Sequence, residues 1–399
     1  MNVFTSGNFL LPQNVELNKW AVIACDQFTS EIEYWQRVTK AVGQAKSTLH
    51  LTLPEVYLKG DYSGKIAKIN ATMEEYLAQG IFQEYKNCFI YIERTLIDGQ
   101  IRQGLLGVVD LECYDFAPKA TSPIRATERT VLERIPPRKK IREQAALELG
   151  HVLLLADDRR DVIFAAVASI KAHLPKLYEF DLMEEGGHIA AWLIQNQDRD
   201  AVEAALQEYI SGERSMYGED AMLFAVGDGN HSLCTAKACY EADPNNLNRF
   251  AMVELENIHH NSQKFEPIHR LVIGTDTERL VAFLKQYEKK DGHVVEWISK
   301  DNQGTLYLDK QLGLLPLGIL QEALDAYLAK YGGTLDYIHG DDTLRGLAQK
   351  DGCIGFLLPP ITKNAFFPGI MADGVYPRKT FSMGHNREKR YYLEARKIR

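Results

Sequence analysis

The densest set of chemically useful side chains in this sequence lies in residues 221–241, A-M-L-F-A-V-G-D-G-N-H-S-L-C-T-A-K-A-C-Y-E. The apolar run 222–226 predicts a buried strand, and a helical pattern begins near His231. A glycine turn between a strand and a helix leaves the first backbone N–H groups of the helix available to an anion. The turn therefore predicts a phosphate-binding site.

The side chains of this turn suit phosphate-ester or metal-assisted chemistry, because they comprise a carboxylate, an amide, an imidazole and a hydroxyl. We expect Asp228 to orient an acceptor hydroxyl or to bind Mg²⁺, and His231 to act beside it. Gly229, Asn230 and Ser232 are expected to bind the phosphate. The alternative is structural, with Asn230 capping the helix and Asp228 bonded to turn amides.

A second candidate region is the segment 121–142, T-S-P-I-R-A-T-E-R-T-V-L-E-R-I-P-P-R-K-K-I-R, which is basic in a chain of net charge -8. Arginine binds phosphates and carboxylates through paired hydrogen bonds. The arginines would neutralise developing charge, and the first glutamate would be an alternative base to Asp228. The candidate residues here are Arg125, Thr127, Glu128, Arg134 and Arg138. A solvated basic surface is the other interpretation.

Other polar residues stand near the ends of predicted strands, where ligands bind in α/β sheets. Asp26 follows the apolar run 20–25, and Asn257, His269 and Arg270 lie within or just after a strand pattern. We expect all four to line the same cavity, although each could be an ordinary turn or core residue. The loop 377–384, P-R-K-T-F-S-M-G, adds cations whose direction the sequence does not indicate.

Composition restricts the class of protein. The chain has 399 residues, which exceeds the usual length of a single domain. Of these residues 45% are hydrophobic, enough to form a large core. Its acidic balance, with a pI near 5.8, argues against sequence-specific nucleic-acid binding. The six cysteines form no C-x-x-C pair, and no export or membrane pattern is present. We therefore expect a cytoplasmic protein that carries no membrane span.

Metal and cofactor motifs are sparse. The histidines and glutamates of 254–270 lack zinc-site spacing, and no haem or flavin signature occurs. Mg²⁺ remains compatible, because it keeps most of its waters and needs few protein ligands.

Strand and helix patterns alternate along the chain, which predicts an α/β fold, with mixed α+β construction as the alternative. A capping box at Ser30 and Glu33 predicts the start of the first helix. The predicted helices span 30–43, 65–79, 157–171, 198–210, 317–330 and 343–349, and one more begins at 276. The predicted strands span 20–25, 88–92, 104–111, 189–194, 249–256, 304–308, 353–358 and 390–397. The predicted units are a core α/β region with the site (1–270), a smaller α/β unit or insertion (271–350) and C-terminal strands that return to the core (351–399).

Four separated motifs, in order, resemble an uncharacterised bacterial and archaeal family, domain of unknown function 1015. They are I-R-A-T-E-R-T-V-L-E-R-I-P-P-R, V-G-D-G-N-H-S-L-C-T-A-K, F-E-P-I-H-R and P-R-K-T-F-S-M-G followed by E-K-R-Y-Y-L-E-A-R. The resemblance runs from about Ala21 to the C-terminus. It implies membership of the family and brings no established activity.

The glycine turn also resembles the nucleotide-phosphate turn of the ParB/sulfiredoxin-like superfamily, which includes free-serine kinases. Asp228 and Gly229 match the Asp-Gly of those kinases, and the next three residues stand where they carry His-Thr-Arg. The resemblance implies a strand–turn–helix core, elaborated by additional mixed-sheet and helical segments, that binds ATP or ADP with Mg²⁺.

Two departures from that pattern matter. Ser232 replaces the arginine, so the missing cation would come from Lys237 or from the 125–142 segment. Asn230 stands where sulfiredoxin has its catalytic cysteine, which argues against redox chemistry. The predicted function is a nucleotide- or phosphate-ester-binding enzyme: a small-molecule phosphotransferase, serine-kinase-like, or a phosphohydrolase. The alternative is a nucleotide- or metabolite-sensing protein without turnover. The acceptor, the nucleotide, any metal ligand and the oligomeric state stay open.

Overall fold

A computed structural model describes residues 3–58, 61–129, 135–377 and 379–399. Within these ranges the chain has a mixed α/β fold, which confirms the predicted class. The α-helices are α1 (Leu17–Trp20), α2 (Ile32–Val42), α3 (Ser63–Ala78), α4 (Ile135–Arg142), α5 (Val162–Ile170), α6 (Asn196–Tyr217), α7 (Asn230–Ala242), α8 (Thr277–Leu284), α9 (Pro316–Tyr331), α10 (Asp341–Leu347) and α11 (Lys363–Asp373).

The described strands are numerous and range from two to fourteen residues. They are β1 (Phe4–Thr5), β2 (Gly7–Pro12), β3 (Val22–Ile23), β4 (Phe82–Thr95), β5 (Ile101–Asp110), β6 (Tyr114–Asp115), β7 (Ile124–Ala126), β8 (Leu147–Leu149), β9 (Val152–Ala156), β10 (Lys176–Asp181), β11 (His188–Ile194), β12 (Phe224–Asp228), β13 (Phe250–Asn257), β14 (Phe265–Ile273), β15 (Glu288–Ser299), β16 (Gln303–Leu308), β17 (Thr334–His339), β18 (Cys353–Leu357), β19 (Phe381–Met383), β20 (Tyr391–Tyr392) and β21 (Ala395–Lys397).

A large mixed sheet of thirteen described strands forms the main body, in the order β6-β7-β12-β9-β13-β5-β4-β2-β21-β8, with β1, β11 and β10 added at its side. β4 and β5 pair antiparallel and form a hairpin around residues 97–100. Apolar clusters pack against the sheet, with Trp20 and Trp35 in one and Phe224 in another. The predicted strand, turn and helix of residues 221–241 are present as β12 and α7.

A second sheet has the order β16-β15-β18-β14-β17, with β19 paired to β14. Helices α8 and α9 cover it through a core that includes Leu280, Leu324 and Phe356. This sheet begins before residue 271 with β14 and continues past residue 350 with β18, whereas β21 returns to the large sheet. The proposed division into domains stays a prediction.

An aromatic cluster joins the two sheets. Leu155 and Ala225 come from the large sheet, while Phe265 and Phe381 come from β14 and β19. Phe265 stacks on Phe366 of α11 with ring centroids 4.7 Å apart. The loops at this junction are therefore anchored from both sides.

Two local expectations were wrong, and one long strand was not predicted. Residues 20–25 do not form one strand, because Trp20 ends α1 and β3 covers only two residues. Ser30 does not cap α2, because the helix starts at Ile32 and its N-cap residue, Glu31, makes no side-chain capping hydrogen bond. The long strand β15 was not expected, because its polar sequence carries little strand signal.

Candidate functional site

Two parallel strands bring the first pair of carboxylates together. β7 and β12 are parallel neighbours, with Val226 opposite Ala126. Parallel neighbours end at the same edge of a sheet, so Glu128, which follows β7, and Asp228, the last residue of β12, lie at one edge. Both line the same cavity.

A small antiparallel pair adds a cation and a third carboxylate. β3 pairs with β20, with Ile23 opposite Tyr391, and the Ala24 N–H donates to the Arg390 carbonyl at 2.9 Å. Arg390, which precedes β20, therefore lies beside Ala24, which follows β3. This register places Lys389 and Asp26 on the wall of the same cavity.

The second sheet closes the cavity. β19 pairs with β14, with Phe381 opposite Pro267. The preceding loop carries Lys379, and Ile268, Phe381 and Met383 add apolar wall. The buried Arg270 supports that loop, because its Nη1 donates to the Lys379 carbonyl at 3.0 Å.

We call this space the polar cavity. Its volume is about 330 Å³. Carboxylates, cations, an imidazole and the glycine turn share its wall. The polar and turn residues that line it are Asp26, Gln27, Glu128, Arg129, Gly227, Asp228, Gly229, Asn230, His231, Lys379, Ser382 and Lys389.

The turn itself depends on glycine. Gly229 has φ +78°, in the left-handed region that suits glycine. A Cβ at Gly227 would lie 2.8 Å from both Leu155 Cγ and Met383 Sδ. The N–H groups of Ser232 and Leu233 donate to the Gly229 carbonyl, at 2.9 and 3.0 Å, so the helix begins immediately after the turn.

The two carboxylates at the sheet edge have different surroundings. Asp228 Oδ1 accepts from the Gly229 N–H at 2.9 Å, and its Oδ2 lies 3.4 Å from Lys389 Nζ. Burial, together with the nearby negative charge of Asp228, raises the pKa of Glu128 to about 6. This rise persists although the Thr380 N–H donates to Glu128 Oε1 at 3.4 Å. Glu128 is therefore the carboxyl suited to exchange a proton near neutral pH.

A second space, the apolar cavity, meets the polar cavity at Asp26, which lines both. Its volume is about 140 Å³. Ser232 and His151 stand on its wall with Asp26, and Ser232 Oγ lies 2.9 Å from His151 Nε2. The same Nε2 lies 3.7 Å from Asp26 Oδ2. The first turn of α7 thus separates the two cavities.

The charges at the meeting point of the cavities are coupled. Burial would raise the pKa of Asp26, but His151 and Arg138 outweigh it and hold that pKa well below its usual range. Arg138 also forms an ion pair with Glu55. Burial and Asp26 raise the pKa of the Cys25 thiol to about 11, so the thiol stays protonated at neutral pH.

With this geometry established, family membership follows from comparison with family models. The model described as protein of unknown function (DUF1015) matches residues 10–397. This chain belongs to the DUF1015 family. The expectation drawn from the four motifs is confirmed. No curated protein matches this DUF1015 chain.

Several solved structures align with the DUF1015 chain at low identity. A conserved hypothetical protein from Pyrococcus furiosus is 10% identical over 72% of this chain and 90% of its own, with a TM-score of 0.35. SbnI with a C-terminal truncation from Staphylococcus aureus is 11% identical over 70% and 83%, with a TM-score of 0.37. A free serine kinase variant in complex with ADP is 11% identical over 73% and 91%, with a TM-score of 0.41. The likeness to the ParB/sulfiredoxin-like superfamily stays a prediction.

The structure brings part of the predicted site together. Asp228, Gly229, His231, Glu128 and Asp26 all line the polar cavity. Asn230 lines it too, but its side chain is bonded within the fold. The Asn230 Oδ1 accepts from the Thr127 N–H at 3.3 Å, and the Asn230 Nδ2 donates to the Val226 carbonyl at 3.3 Å.

Two predicted phosphate ligands lie on the apolar cavity. Ser232 contacts His151 there, and Arg138 lies on the same wall, paired with Glu55. A third predicted ligand, Arg134, falls outside the described residues.

Three further candidates bond to backbone carbonyls. The Arg125 guanidinium donates to Ser122 at 2.9 Å and to Asp220 at 2.5 Å, and Thr127 Oγ1 donates to Val226 at 2.6 Å. Lys237 Nζ donates to the Leu111 carbonyl at 2.8 Å and lies 3.5 Å from Glu241. These contacts connect elements of the fold.

The candidates from segment 254–270 lie apart from the polar cavity wall. Asn257 Nδ2 donates to the Asp158 carbonyl at 2.8 Å. His269 Nε2 lies 2.8 Å from Asp341 Oδ1, and its Nδ1 accepts from the Leu358 N–H at 3.1 Å. Burial lowers the pKa of His269, which favours the neutral ring despite Asp341. Arg270 supports the Lys379 loop, as described above.

Sequence reasoning missed the lysines of the site and the histidine of the apolar cavity. Lys389 stands in the motif E-K-R-Y-Y-L-E-A-R, and Lys379 in the loop of unassigned direction. The available signal was their presence in the same set of motifs as the glycine turn. His151 gave no signal, because its role depends on the antiparallel pairing of β9 with β12.

Two features of the described residues bear on cofactors and membranes. No group of three or more His, Cys, Asp or Glu side chains in these ranges is placed to hold a metal ion. Within the same ranges, no helix has the length and apolar character needed to cross a bilayer.

Proposed function

We propose that this protein is a nucleotide- or phosphate-ester-binding enzyme that transfers a phosphoryl group to a small molecule in the polar cavity. One observation carries the proposal: a carboxyl with a pKa near 6, a Lys–Asp pair and the start of a helix face a single cavity. Phosphoryl transfer needs few covalent partners and depends on positioning and on charge stabilisation.

The phosphate would bind against the start of α7. This helix has 13 residues, and its N-terminal end carries partial positive charge. Lys389, Lys379 and Arg129 supply cations on the surrounding wall. These residues fill the role that the missing arginine at Ser232 left open.

Glu128 is assigned as the general base. It accepts the proton of the acceptor hydroxyl as the hydroxyl oxygen forms its bond to the terminal phosphorus. The bond from phosphorus to the bridging oxygen breaks, and the nucleoside diphosphate leaves with that electron pair. Water in place of the acceptor would give hydrolysis. A pKa near the working pH suits such a base.

Asp228 receives a different role from that of Glu128. Its Oδ1 is held by the Gly229 N–H, and its Oδ2 faces Lys389. Asp228 would therefore hold the Lys389 ammonium group in place until the phosphate binds and pairs with it. This division supports Glu128 as the base, a choice between two carboxylates that the sequence alone left open.

Mg²⁺ belongs to this proposal through the nucleotide. Mg²⁺ is usually bound by one or two carboxylates together with substrate phosphates. Asp26 and Asp228 are the carboxylates on the wall that would offer such an oxygen. ATP or ADP as the nucleotide stays a prediction from the superfamily resemblance.

The test is a thermal-shift screen with ATP, ADP and inorganic phosphate, with and without Mg²⁺, followed by product analysis of each hit. We expect nucleotide to raise the melting temperature and a phosphate ester or free phosphate to accumulate. The Glu128→Gln variant should keep the shift and lose the product. Binding with nucleotide recovered intact, in both proteins, would favour the sensing alternative. No shift with any of the three ligands would refute the proposal.

A further inference from the structure

The apolar cavity has a different lining from the polar cavity beside it. Most of its accessible wall is apolar, with Leu51, Leu53, Ile141 and Leu149 among its residues, although charged side chains also reach it. A cavity of about 150 Å³ lined by aliphatic and aromatic side chains stays dry and holds a molecule the size of benzene. The space of about 140 Å³ here therefore suits an apolar group of about six carbon atoms.

The charged groups on this wall are already paired. Glu148 Oε2 lies 2.5 Å from Arg142 and its Oε1 lies 2.6 Å from Arg396, while Arg138 pairs with Glu55. A charged ligand group would have to break one of these pairs and would lose its own hydration. The lining therefore favours a neutral occupant.

A polar neck stands where the two cavities meet. Ser232 Oγ, His151 Nε2 and Asp26 Oδ2 follow one another at 2.9 and 3.7 Å, and Asp26 also lines the polar cavity. The His151 ring is fixed edge-on to Tyr392, with centroids 5.3 Å apart. A hydroxyl in the neck stands where the apolar wall ends, so its oxygen and its proton can face the space that Glu128 lines.

We infer that the apolar cavity binds the acceptor of the proposed phosphoryl transfer, and that this acceptor is a neutral alcohol with an apolar body of about six carbons. This inference rests on the proposed function and adds its substrate class. The alcohol oxygen bonds to phosphorus, its proton passes to Glu128, and the nucleoside diphosphate departs with the broken P–O electron pair. The products are a phosphomonoester and the diphosphate.

The binding test uses the straight-chain alcohols from 1-propanol to 1-octanol, titrated against the full chain by ligand-observed NMR. Each added methylene that enters the cavity should tighten binding about four-fold. The gain should stop near six carbons because the cavity is full. Affinity that keeps rising through 1-octanol, or no binding at all, would overturn the inference.

A cavity-filling variant locates the site. Leu149 lines the apolar cavity and is half-buried, so Leu149→Phe should fill the space while the protein still folds. We expect at least a ten-fold loss of 1-pentanol affinity and an ADP affinity within two-fold of the parent. Leu77 and Leu149 are both half-buried against the apolar cluster that contains Trp20 and Trp35, but Leu77 does not line the apolar cavity. Leu77→Phe is therefore the control and should change neither affinity. Equal effects of the two variants on 1-pentanol would overturn the inference.

Two further measurements separate this inference from the proposed function. 5-Hydroxypentanoate should bind more weakly than 1-pentanol, and tighter binding of the acid would overturn the neutral class. With ATP and 1-pentanol, ³¹P NMR should show a pentyl phosphate ester, and Leu149→Phe should abolish it. If ADP and ATP do not bind while 1-pentanol still shows the Leu149→Phe loss, phosphoryl transfer fails and the cavity's occupant stands. If nucleotides bind and the variant leaves pentanol binding intact, only the acceptor site fails.

Discussion

The polar and apolar cavities lie on either side of the first turn of α7. Their charged side chains differ in how closely they are paired and in how exposed they are. In the polar cavity, Asp228 and Lys389 are 3.4 Å apart, with side chains 23% and 12% exposed. On the apolar wall, Glu148 is buried between Arg142 and Arg396 at 2.5 and 2.6 Å. A loose, partly hydrated pair can exchange its partner for a ligand, whereas a tight buried set cannot without large cost.

The pKa values of two glutamates express the same contrast. Burial raises the pKa of Glu128 to about 6. Burial also opposes ionisation of Glu148, but Arg396 and Arg142 outweigh it and lower its pKa to about 2. The pKa of the same residue type is therefore raised in the polar cavity and lowered on the apolar wall.

The largest effect is expected for turnover of Glu128→Gln. The amide cannot accept the acceptor proton, so kcat should fall by about 10²- to 10⁴-fold while nucleotide affinity stays unchanged. In the parent, kcat should rise with pH through an apparent pKa near 6, since the base must be ionised. Steady-state kinetics over pH 5 to 8 measure both. A parent profile that is flat from pH 5 to 7 would remove Glu128 from the base role.

The next largest effect is on stability, at the apolar wall. Glu148→Gln leaves the buried Arg396 guanidinium and the half-buried Arg142 guanidinium without their anion, so the free energy of unfolding at pH 7 should fall by about 3 to 5 kcal/mol. The folded-state pKa is depressed, so this contribution is present above the unfolded value and is lost as pH falls toward 2. Urea unfolding at pH 7 and pH 4 measures the change. A variant as stable as the parent at pH 7 would contradict the tight pairing.

Loss of the loose pair should act on binding. Lys389→Ala removes the cation that Asp228 holds toward the cavity, so affinity for ADP should fall at least ten-fold. Lys237→Ala is the control, because Lys237 bonds to the Leu111 carbonyl and should leave affinity within two-fold. Calorimetric titration of both variants gives the answer. A similar loss in the two variants would mean that general charge, and not the cavity, attracts the nucleotide.

The smallest effect sharpens the contrast between the glutamates. Because the folded-state pKa of Glu128 is raised, the unfolded chain ionises more readily, and the fold loses stability as pH rises through the window from 4.5 to 6. Glu128→Gln should therefore stabilise the protein by about 1 to 2 kcal/mol at pH 7, with no gain below pH 4.5. Urea unfolding checks the sign, which is opposite to that for Glu148→Gln. A loss of stability at pH 7 would contradict the burial of an ionised carboxylate.

Local signals predicted the part of the site that one segment supplies. The apolar run before Gly227, and Gly229 with its positive φ, are read from neighbouring residues alone, and they correspond to β12 and the start of α7. Patterns of this kind depend on interactions within a few residues. The proximity of Glu128 to Asp228 does not, because it requires β7 and β12, from distant parts of the chain, to pair in parallel.

The remaining residues of the site depend on pairings between distant segments. Lys389 reaches Asp228 only because β20, near the end of the chain, pairs with β3, near its beginning. Arg125 and Lys237 show the converse, because their charge suggested phosphate binding while distant carbonyl groups hold them. The local sequence around a side chain does not indicate which distant residue it will contact in the fold.

The most direct test of the phosphate site is a crystal structure of the protein soaked with ADP. The β-phosphate should lie in the polar cavity, within hydrogen-bond distance of Lys389 Nζ and facing residues 229–231 at the start of α7. ADP bound elsewhere, or a polar cavity without nucleotide at a saturating ADP concentration, would contradict the proposed site.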